Sequence, residues 1–287
     1  MNRLTEFKGV LSPIPTPFDP SNGKVYEKGI VNLLTFLKDA GVHGVFAMGS
    51  YGSFSLLDPE ERKEAMCLIT KYCKELGLYN IMHIGAAGTD QAVRYAAYAH
   101  EIGVDSVASV SPFYYSGHAY RWKDILSYHE AVLKNVSLPY CVYNNPRTTS
   151  FALTAENLRD LAEIGVSGLK DSGNNVPLFQ EYVDATKAFE FNCMPGSGST
   201  MLECFRMGAK AIVAGTSVCF PEEVMKLYNA IVEGKPDDEL DKLQIEVSNC
   251  RDRQMRAIMR PAAAYIILKE RGVNIGTPRH PWPTTEE

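Results

Sequence analysis

The sequence predicts an α/β protein that folds as a (β/α)8 barrel, followed by a C-terminal helical extension. Short apolar or β-branched runs alternate with longer segments of helical periodicity, and this unit repeats eight times along the chain. Signals for helix starts and small-residue helix stops fall between the runs. The 287 residues contain no low-complexity linker, and barrels of this kind commonly use this much sequence.

Eight runs have the length and composition of buried parallel strands. The predicted strands are Gly9–Ile14, Gly44–Met48, Asn80–Ile84, Ser106–Val110, Tyr140–Tyr143, Gly168–Lys170, Phe191–Met194 and Ala211–Ala214.

Helices are predicted between these strands from their terminal residues. Asp58, Thr154 and Pro221 each stand where a cap or first-turn proline begins a helix. Gly41 and Gly103 follow helical segments and precede strands, as glycines at helix C-termini do.

The segment after the eighth unit is also helical. We expect helix from Asp237 to Arg271, ended by Gly272 and followed by a proline-rich tail. The predicted organisation is a barrel over residues 1–232 with an extension over residues 233–287 packed on it, as a single structural unit.

Composition limits the partners. The formal net charge is -5 at pH 7, so nucleic acid and anionic membranes are not expected as partners, because both select for clustered Lys and Arg. No run approaches the roughly 20 apolar residues of a membrane span. The seven cysteines are scattered without metal-ligand spacing. We therefore expect a cytoplasmic protein with reduced thiols and no metal site.

Lys170 stands at the end of the sixth predicted strand, in the segment Gly168–Gly173. In a (β/α)8 barrel the catalytic groups lie at the C-terminal ends of the strands. A lysine desolvated there has a lowered pKa and offers a free amine to a carbonyl. The alternative is a lysine that reaches solvent or pairs with Asp171.

Two further strand ends carry hydroxyl groups. Tyr143 ends the fifth strand, where a phenol can pass protons during imine formation, although a tyrosine there is also a common core residue. The second strand is followed by the turn Gly49–Ser53, whose glycines allow backbone N–H groups to converge on a carboxylate. Taken alone, such a turn is often only a turn.

Taken together, these segments resemble the family of dihydrodipicolinate synthase and N-acetylneuraminate lyase, over essentially the whole chain. The shared motifs are Gly49-Ser50-Tyr51-Gly52-Ser53, Ser111-Pro112-Phe113-Tyr114-Tyr115, Tyr143-Asn144-Asn145-Pro146, Gly168-Leu169-Lys170-Asp171-Ser172-Gly173 and Thr277-Pro278-Arg279-His280-Pro281.

The resemblance implies a class I Schiff-base lyase or aldolase that needs no cofactor. It implies that Lys170 forms the imine, that Tyr143 transfers protons and that Ser50 relays them. Tyr114 resembles the residue that family members lend across a dimer interface, within a homotetramer built as a dimer of dimers. The turn at Ser50, Tyr51 and Gly52 is expected to bind the carboxylate of a 2-oxo acid such as pyruvate.

The sequence departs from the family pattern in the turn after the second strand. The second threonine of the family loop is Tyr51, whose hydroxyl reaches several ångströms further, and the usual glutamate is Ser53. The geometry of carboxylate binding is therefore expected to differ.

Departures elsewhere bear on the substrate. Dihydrodipicolinate synthases carry an arginine two residues after the motif proline, where this chain has Thr148, with Arg147 one residue early. Sialic acid lyases carry an acidic pair after the seventh strand, where this chain has Gly196–Ser199. The predicted substrate-binding residues are Ser50, Tyr51, Gly52, Arg147, Thr148, Gly196, Val213 and Gly215.

These departures favour a small 2-oxo acid, of the 2-keto-3-deoxy sugar acid type, that is cleaved to or built from pyruvate. The alternatives are 4-hydroxy-tetrahydrodipicolinate synthase, which joins pyruvate to aspartate semialdehyde, and a dehydratase or deaminase of a 2-oxo acid. A non-catalytic paralogue that binds a ligand without turnover is the alternative from another class.

Overall fold

A computed structural model describes residues 3–115, 119–257 and 262–283, and contains all eight predicted strands. The first and last residues of each strand differ from the predicted ones by at most one position. The strands are β1 (Gly9–Pro13), β2 (Gly44–Ala47), β3 (Tyr79–His83), β4 (Ser106–Val110), β5 (Tyr140–Asn144), β6 (Gly168–Asp171), β7 (Asn192–Pro195) and β8 (Ala211–Val213).

Helices separate the strands and continue after the last one. They are α1 (Arg3–Glu6), α2 (Glu27–Asp39), α3 (Pro59–Leu76), α4 (Thr89–Ile102), α5 (Trp122–Lys134), α6 (Pro146–Thr149), α7 (Ala155–Glu163), α8 (Val176–Thr186), α9 (Met201–Arg206), α10 (Pro221–Glu233), α11 (Asp237–Ala257) and α12 (Ala262–Glu270).

The strands form one sheet in the order β7-β6-β5-β4-β3-β2-β1-β8. The pairs β1–β2, β3–β4, β4–β5, β5–β6 and β6–β7 are parallel. This order, with helices between the strands, is that of a (β/α)8 barrel, and the predicted fold class is confirmed.

Contacts group the chain into two compact units. Of the described residues, the first unit contains those up to Lys8 and those within Ile81–Val213, and the second contains Gly9–Asn80 and those from Ala214 onward. The predicted boundary between residues 232 and 233 stays a prediction.

Helix ends in both units have the capping that the sequence predicts. Asp58 accepts from the backbone N–H groups of Glu60 and Glu61, and the Glu61 carboxylate accepts in return from the Asp58 N–H, which makes a capping box at the start of α3. Thr154 caps α7 by accepting from the Asn157 N–H at 3.1 Å. Capping of this kind fixes where each helix begins and so where the preceding loop ends.

The helical extension belongs to the second unit, where α11 packs on α10 and α12 packs against α11. The segment predicted as helix from 237 to 271 holds two helices, and residues 258–261 lie outside the described residues. Phe18 and Thr277 exchange backbone hydrogen bonds of 3.2 and 2.9 Å, and the Tyr265 hydroxyl donates to the Thr16 carbonyl. The C-terminal segment is therefore attached to the residues that follow β1.

Candidate active site

The first unit places Lys170 beside Tyr143. The register of β5 and β6 pairs Tyr143 with Lys170, so both side chains project from the same face of the sheet. The Nζ atom of Lys170 lies 4.0 Å from the centre of the Tyr143 ring. An amine and a phenol are thus brought together at the C-terminal ends of two neighbouring strands.

Lys170 is a buried amine. The residue is only 4% exposed, and this burial lowers the pKa of its amine. The charge and hydrogen bonding of Tyr143 act on this pKa in the opposite direction. A lowered pKa increases the fraction of neutral amine, which is the form that attacks a carbonyl.

Tyr143 is oriented by the residue two positions along the chain. The Asn145 side-chain amide donates to the Tyr143 hydroxyl at 3.2 Å, and both residues are buried. The hydroxyl therefore has a fixed donor on one side and Lys170 nearby, an arrangement suited to proton transfer.

The opposite face of the same strands holds a buried polar network. The Asn144 side-chain amide donates to Asp171 Oδ1 at 2.7 Å and to the Tyr182 hydroxyl at 3.3 Å. Its carbonyl oxygen accepts from the Leu153 N–H at 3.2 Å, and the Gly173 N–H donates to Asp171 Oδ1 at 3.1 Å. Asp171 is therefore engaged on the face of the sheet away from Lys170.

Cysteines close to this cluster are packing residues. Cys141 and Cys193 lie in β5 and β7 and are buried free thiols. Burial raises the pKa of each thiol to about 12, so neither offers a thiolate nucleophile near neutral pH.

The second unit contains the turn Gly49–Ser53 that follows β2. Met48 and Ser53 both have left-handed backbone conformations, with φ of 55° and 53°. The Thr16 hydroxyl donates to the Gly52 carbonyl at 2.7 Å, and a Cβ atom at Gly52 would come within 2.9 Å of Met48 Cα. Left-handed residues flank the turn, and the close approach of Met48 requires glycine at position 52.

Tyr51 contacts two residues distant in sequence. The Gln254 side-chain amide donates to the Tyr51 hydroxyl at 3.2 Å and lies 3.4 Å from the Gly215 carbonyl. A Cβ atom at Gly215 would come within 2.7 Å of the Tyr51 hydroxyl oxygen. Tyr51 and Gly215, both predicted to bind substrate, are therefore neighbours, and Ser50 lies half-buried in the same turn.

The other predicted site residues lie in the first unit. Tyr114 follows β4, is 86% exposed and has a φ of 86°. Arg147 and Thr148 are exposed on α6, where the Thr148 hydroxyl donates to the Asn145 carbonyl at 3.1 Å. Val213 is buried at the end of β8.

Gly196 follows β7 in closely packed surroundings. A Cβ atom there would come within 2.5 Å of the Asp171 carbonyl oxygen and 2.6 Å of Ser172 Oγ. Only glycine fits at this position without displacement of the neighbouring loop.

Sequence reasoning missed three residues that the structure joins to the predicted ones. Asn145 belongs to a predicted motif but was assigned no role, Gln254 lies 203 residues from Tyr51, and His83 lies in the predicted strand Asn80–Ile84 and was assigned no role in the site. The motif could have identified Asn145, because Asn145 directly follows the end of β5, two residues after Tyr143. Nothing in the sequence near Gln254 points to Tyr51.

Neither a metal cluster nor a membrane-spanning helix is found among the described residues. No group of three or more His, Cys, Asp or Glu side chains there has the arrangement needed to hold a metal ion. Among the same residues, no helix combines the length and the apolar character required to cross a bilayer.

This chain is similar to known proteins over most of its length. The model of the dihydrodipicolinate synthetase family matches residues 6–287. An uncharacterized lyase of Halobacterium salinarum is 35% identical over 79% of this chain and 72% of its own length. A 4-hydroxy-tetrahydrodipicolinate synthase of Methanosphaerula palustris is 26% identical over 82% of this chain and 79% of the relative. A probable 2-dehydro-3-deoxy-D-pentonate aldolase of Escherichia coli is 25% identical, with 80% of this chain and 76% of the relative covered.

Solved structures agree with the fold. A dihydrodipicolinate synthase of Bacillus anthracis superposes with a TM-score of 0.90 at 23% identity, over 98% of this chain and 94% of that one. A catalytic lysine mutant of the sialic acid aldolase of Ruminococcus gnavus superposes with a TM-score of 0.89 at 25% identity, over 99% of this chain and 92% of that one.

Proposed function

The chain belongs to the dihydrodipicolinate synthetase family, and from this premise we propose that it is a class I lyase that binds a small 2-oxo acid as an imine on Lys170. The observation that supports this most directly is the buried amine of Lys170, 4.0 Å from the Tyr143 ring and with a lowered pKa. Enzymes of this family are lyases. The chemistry proposed below requires no cofactor.

Imine formation begins with attack of the neutral Lys170 amine on the C2 carbonyl of the substrate. The carbinolamine that results loses its hydroxyl as water, and Tyr143 supplies and removes the protons involved. The hydrogen bond from Asn145 holds the phenol where it can serve both directions of transfer.

The iminium then makes cleavage possible. Electrons of the C3–C4 bond flow into the iminium as the C4 hydroxyl loses its proton, which releases an aldehyde and leaves an enamine of pyruvate on Lys170. Protonation at C3 and hydrolysis of the imine return the free amine and pyruvate. The reverse sequence joins pyruvate to an aldehyde with the same balance of atoms.

The turn Gly49–Ser53 supports the proposed recognition of the carboxylate. The turn is flanked by Met48 and Ser53, which both have left-handed backbone conformations, and backbone N–H groups of such a turn can bind an anion without a cationic side chain. We assign Ser50 as the relay hydroxyl on the resemblance alone.

A short sugar acid is the favoured substrate class. The segment Gly196–Ser199 provides hydroxyls, with Ser197 and Ser199 bonded to each other at 2.9 Å, and carries no carboxylate to hold a long polyol. Buried hydroxyls left unpaired would cost about 1–3 kcal/mol each. A 2-keto-3-deoxy sugar acid with few hydroxyls fits this better than sialic acid does.

We propose a homotetramer in which the exposed Tyr114 of one subunit completes the proton relay of its neighbour. Its place in the cell is proposed to be the cytoplasm, in keeping with the free cysteines of the described residues.

The test is intact mass after treatment with pyruvate and borohydride. Wild type should gain the mass of one reduced pyruvate, Lys170→Ala should gain none, and Lys187→Ala, which removes a lysine outside the site, should behave as wild type. An adduct that persists on Lys170→Ala would disprove the assignment of the imine.

Assays of turnover then separate the alternatives. Cleavage of 2-keto-3-deoxy pentonates or hexonates supports the favoured class, whereas consumption of pyruvate with aspartate semialdehyde would instead identify a 4-hydroxy-tetrahydrodipicolinate synthase. Loss of water or ammonia from a 2-oxo acid without carbon–carbon cleavage would identify a dehydratase or deaminase. An adduct with no turnover of any of these substrates would favour the non-catalytic paralogue.

A further inference from the structure

His83 is a fully buried histidine at the end of β3, in the first unit. The Val110 N–H donates to its Nε2 atom at 3.2 Å. An imidazole nitrogen that accepts a hydrogen bond carries no proton, so Nε2 is the unprotonated nitrogen and the ring is neutral. The side chain thus has a fixed orientation.

The ring of His83 packs against Tyr143. Their centroids are 6.1 Å apart and the ring planes meet at 89°, an edge-to-face contact. Val110, which donates to His83, is also the residue paired with Tyr143 in the register of β4 and β5. His83 and Tyr143 are therefore joined both directly and through the same strand residue.

Tyr143 is held by other partners besides His83. Lys170 Nζ lies 4.0 Å from the ring centre, and Asn145 donates to its hydroxyl. The ring of Tyr143 thus has His83 as an aromatic neighbour in addition to these two polar contacts. A change at His83 would free the ring to tilt without removing either polar partner.

Gly85 leaves the space that the His83 ring occupies. A Cβ atom at Gly85 would come within 2.7 Å of His83 Nε2 and 2.8 Å of Ser109 Oγ. Alanine at this position would therefore push the imidazole from its place. Gly88, which has nothing within 4 Å of such a Cβ atom, provides a control in the same loop.

We propose that His83 is a positioning residue for Tyr143, which sets the angle of the phenol toward Lys170 and so the rate of imine formation. This inference rests on the proposed function. It gives a role in the reaction to a histidine that touches no reacting atom, and it predicts a loss of rate without a loss of pyruvate affinity.

The experiment measures the rate of pyruvate imine formation by rapid quench with borohydride, together with pyruvate affinity and the thermal midpoint. His83→Ala should slow imine formation by roughly 10- to 100-fold, the size of effect that a small misplacement of a catalytic group produces. Affinity for pyruvate should stay within about twofold of the wild-type value, because no contact that binds pyruvate equally in the ground state and the transition state is removed. Gly88→Ala should match wild type.

Two double variants distinguish positioning from general damage. In a Tyr143→Phe background, His83→Ala should cause no further loss of rate, because the hydroxyl it orients is absent. Gly85→Ala should slow imine formation in the wild-type background and add little in the His83→Ala background, where the ring it displaces is missing.

Other outcomes would overturn the inference. Equal losses from His83→Ala with and without the Tyr143 hydroxyl would assign His83 a purely structural role, as would a normal rate in His83→Ala. If His83→Ala does not fold, the test uses His83→Phe and Gly85→Ala instead. His83→Phe should form the imine faster than Gly85→Ala does, and the reverse order refutes the proposal. Absence of any adduct on wild type would count against the proposed function instead.

Discussion

Lys170 and Tyr143 are paired across β5 and β6, and the lysine Nζ atom lies 4.0 Å from the centre of the phenol ring. Adjacent parallel strands bring residues in register to the same edge, so this contact follows directly from strand pairing. The residues that follow them, Asn144 and Asp171, are paired in the same register and bond on the opposite face. One pair of strands thus presents a reactive face and a supporting face.

Tyr143→Phe should slow imine formation by about 100-fold or more and leave pyruvate binding nearly unchanged, because only the proton-transferring hydroxyl is removed. The measurement is the borohydride quench rate at saturating pyruvate. Tyr140→Phe is the matched control, since the Tyr140 hydroxyl bonds to His129 Nδ1 at 2.6 Å. A rate loss in Tyr140→Phe as large as that in Tyr143→Phe would contradict a specific role for the Tyr143 hydroxyl.

Lys170→Met should raise the free energy of unfolding near neutral pH. Burial lowers the pKa of Lys170 in the folded state below its unfolded value near 10.5. Between the two pKa values the unfolded chain binds more protons, so wild-type stability increases as pH rises through that window and is lowest below it. Methionine removes this cost.

Urea unfolding of wild type and Lys170→Met at about pH 7 and about pH 10 measures how the difference in their free energies of unfolding depends on pH. The advantage of Lys170→Met should shrink at the higher pH, because the wild-type lysine then approaches neutrality in both states. An advantage that grows with pH would mean that the folded state favours the ammonium form.

The positions of the strands could be predicted closely because parallel strands buried on both faces form continuous apolar runs. The pairing of Tyr143 with Lys170 followed from their places at neighbouring strand ends. The sequence could not decide whether Asp171 pairs with Lys170, because this depends on side-chain direction at the strand end. The structure settles it, since Asp171 Oδ1 accepts from Asn144 and Gly173.

Contacts between residues distant in sequence were beyond prediction. The hydrogen bond from Gln254 to Tyr51 spans 203 residues and joins a helix of the extension to the turn after β2. Helical periodicity shows that Gln254 lies on a helix, but it carries no information about which turn that helix faces. His83 likewise has the pattern of an ordinary core residue until the ring of Tyr143 is placed beside it.

Asn144→Ala should destabilise the protein by about 2–4 kcal/mol, because it leaves a buried carboxylate without its side-chain donor. Burial raises the pKa of Asp171, and the bond from Asn144 counteracts this effect. Loss of the Asn144 hydrogen bond should raise the pKa of Asp171 further. Since a raised carboxyl pKa lowers stability as pH rises above the unfolded value, the destabilisation should be larger at about pH 7 than at about pH 4.

Asn175→Ala provides the control for this variant. Asn175 is exposed and caps α8 through the Leu178 N–H at 3.2 Å, so its loss should cost about 1 kcal/mol with little dependence on pH. Urea unfolding at both pH values measures the two variants. A destabilisation by Asn144→Ala that is equal at both would show that Asp171 does not titrate in this range.

Gln254→Leu should raise the KM for pyruvate about five- to tenfold with little change in kcat, because the loss of one hydrogen bond of about 1 kcal/mol loosens the turn proposed to bind the carboxylate. Gln254 is 3% exposed, and its amide donates to the Tyr51 hydroxyl at 3.2 Å beside the Gly215 carbonyl. Tyr51→Phe removes the other half of the same bond. The two changes should therefore be no worse together than either is alone.

Gln244→Leu is the matched control on the same helix, where the Gln244 amide donates to the Ser248 hydroxyl at 3.3 Å. Gln244→Leu should leave the KM for pyruvate unchanged. If Tyr51→Phe raises the KM while Gln254→Leu does not, the Tyr51 hydroxyl contacts the substrate itself and the bond to Gln254 does not set the turn. If both raise the KM and their effects multiply, Gln254 acts on the turn by a route other than Tyr51, and the Gly215 carbonyl becomes the contact to test.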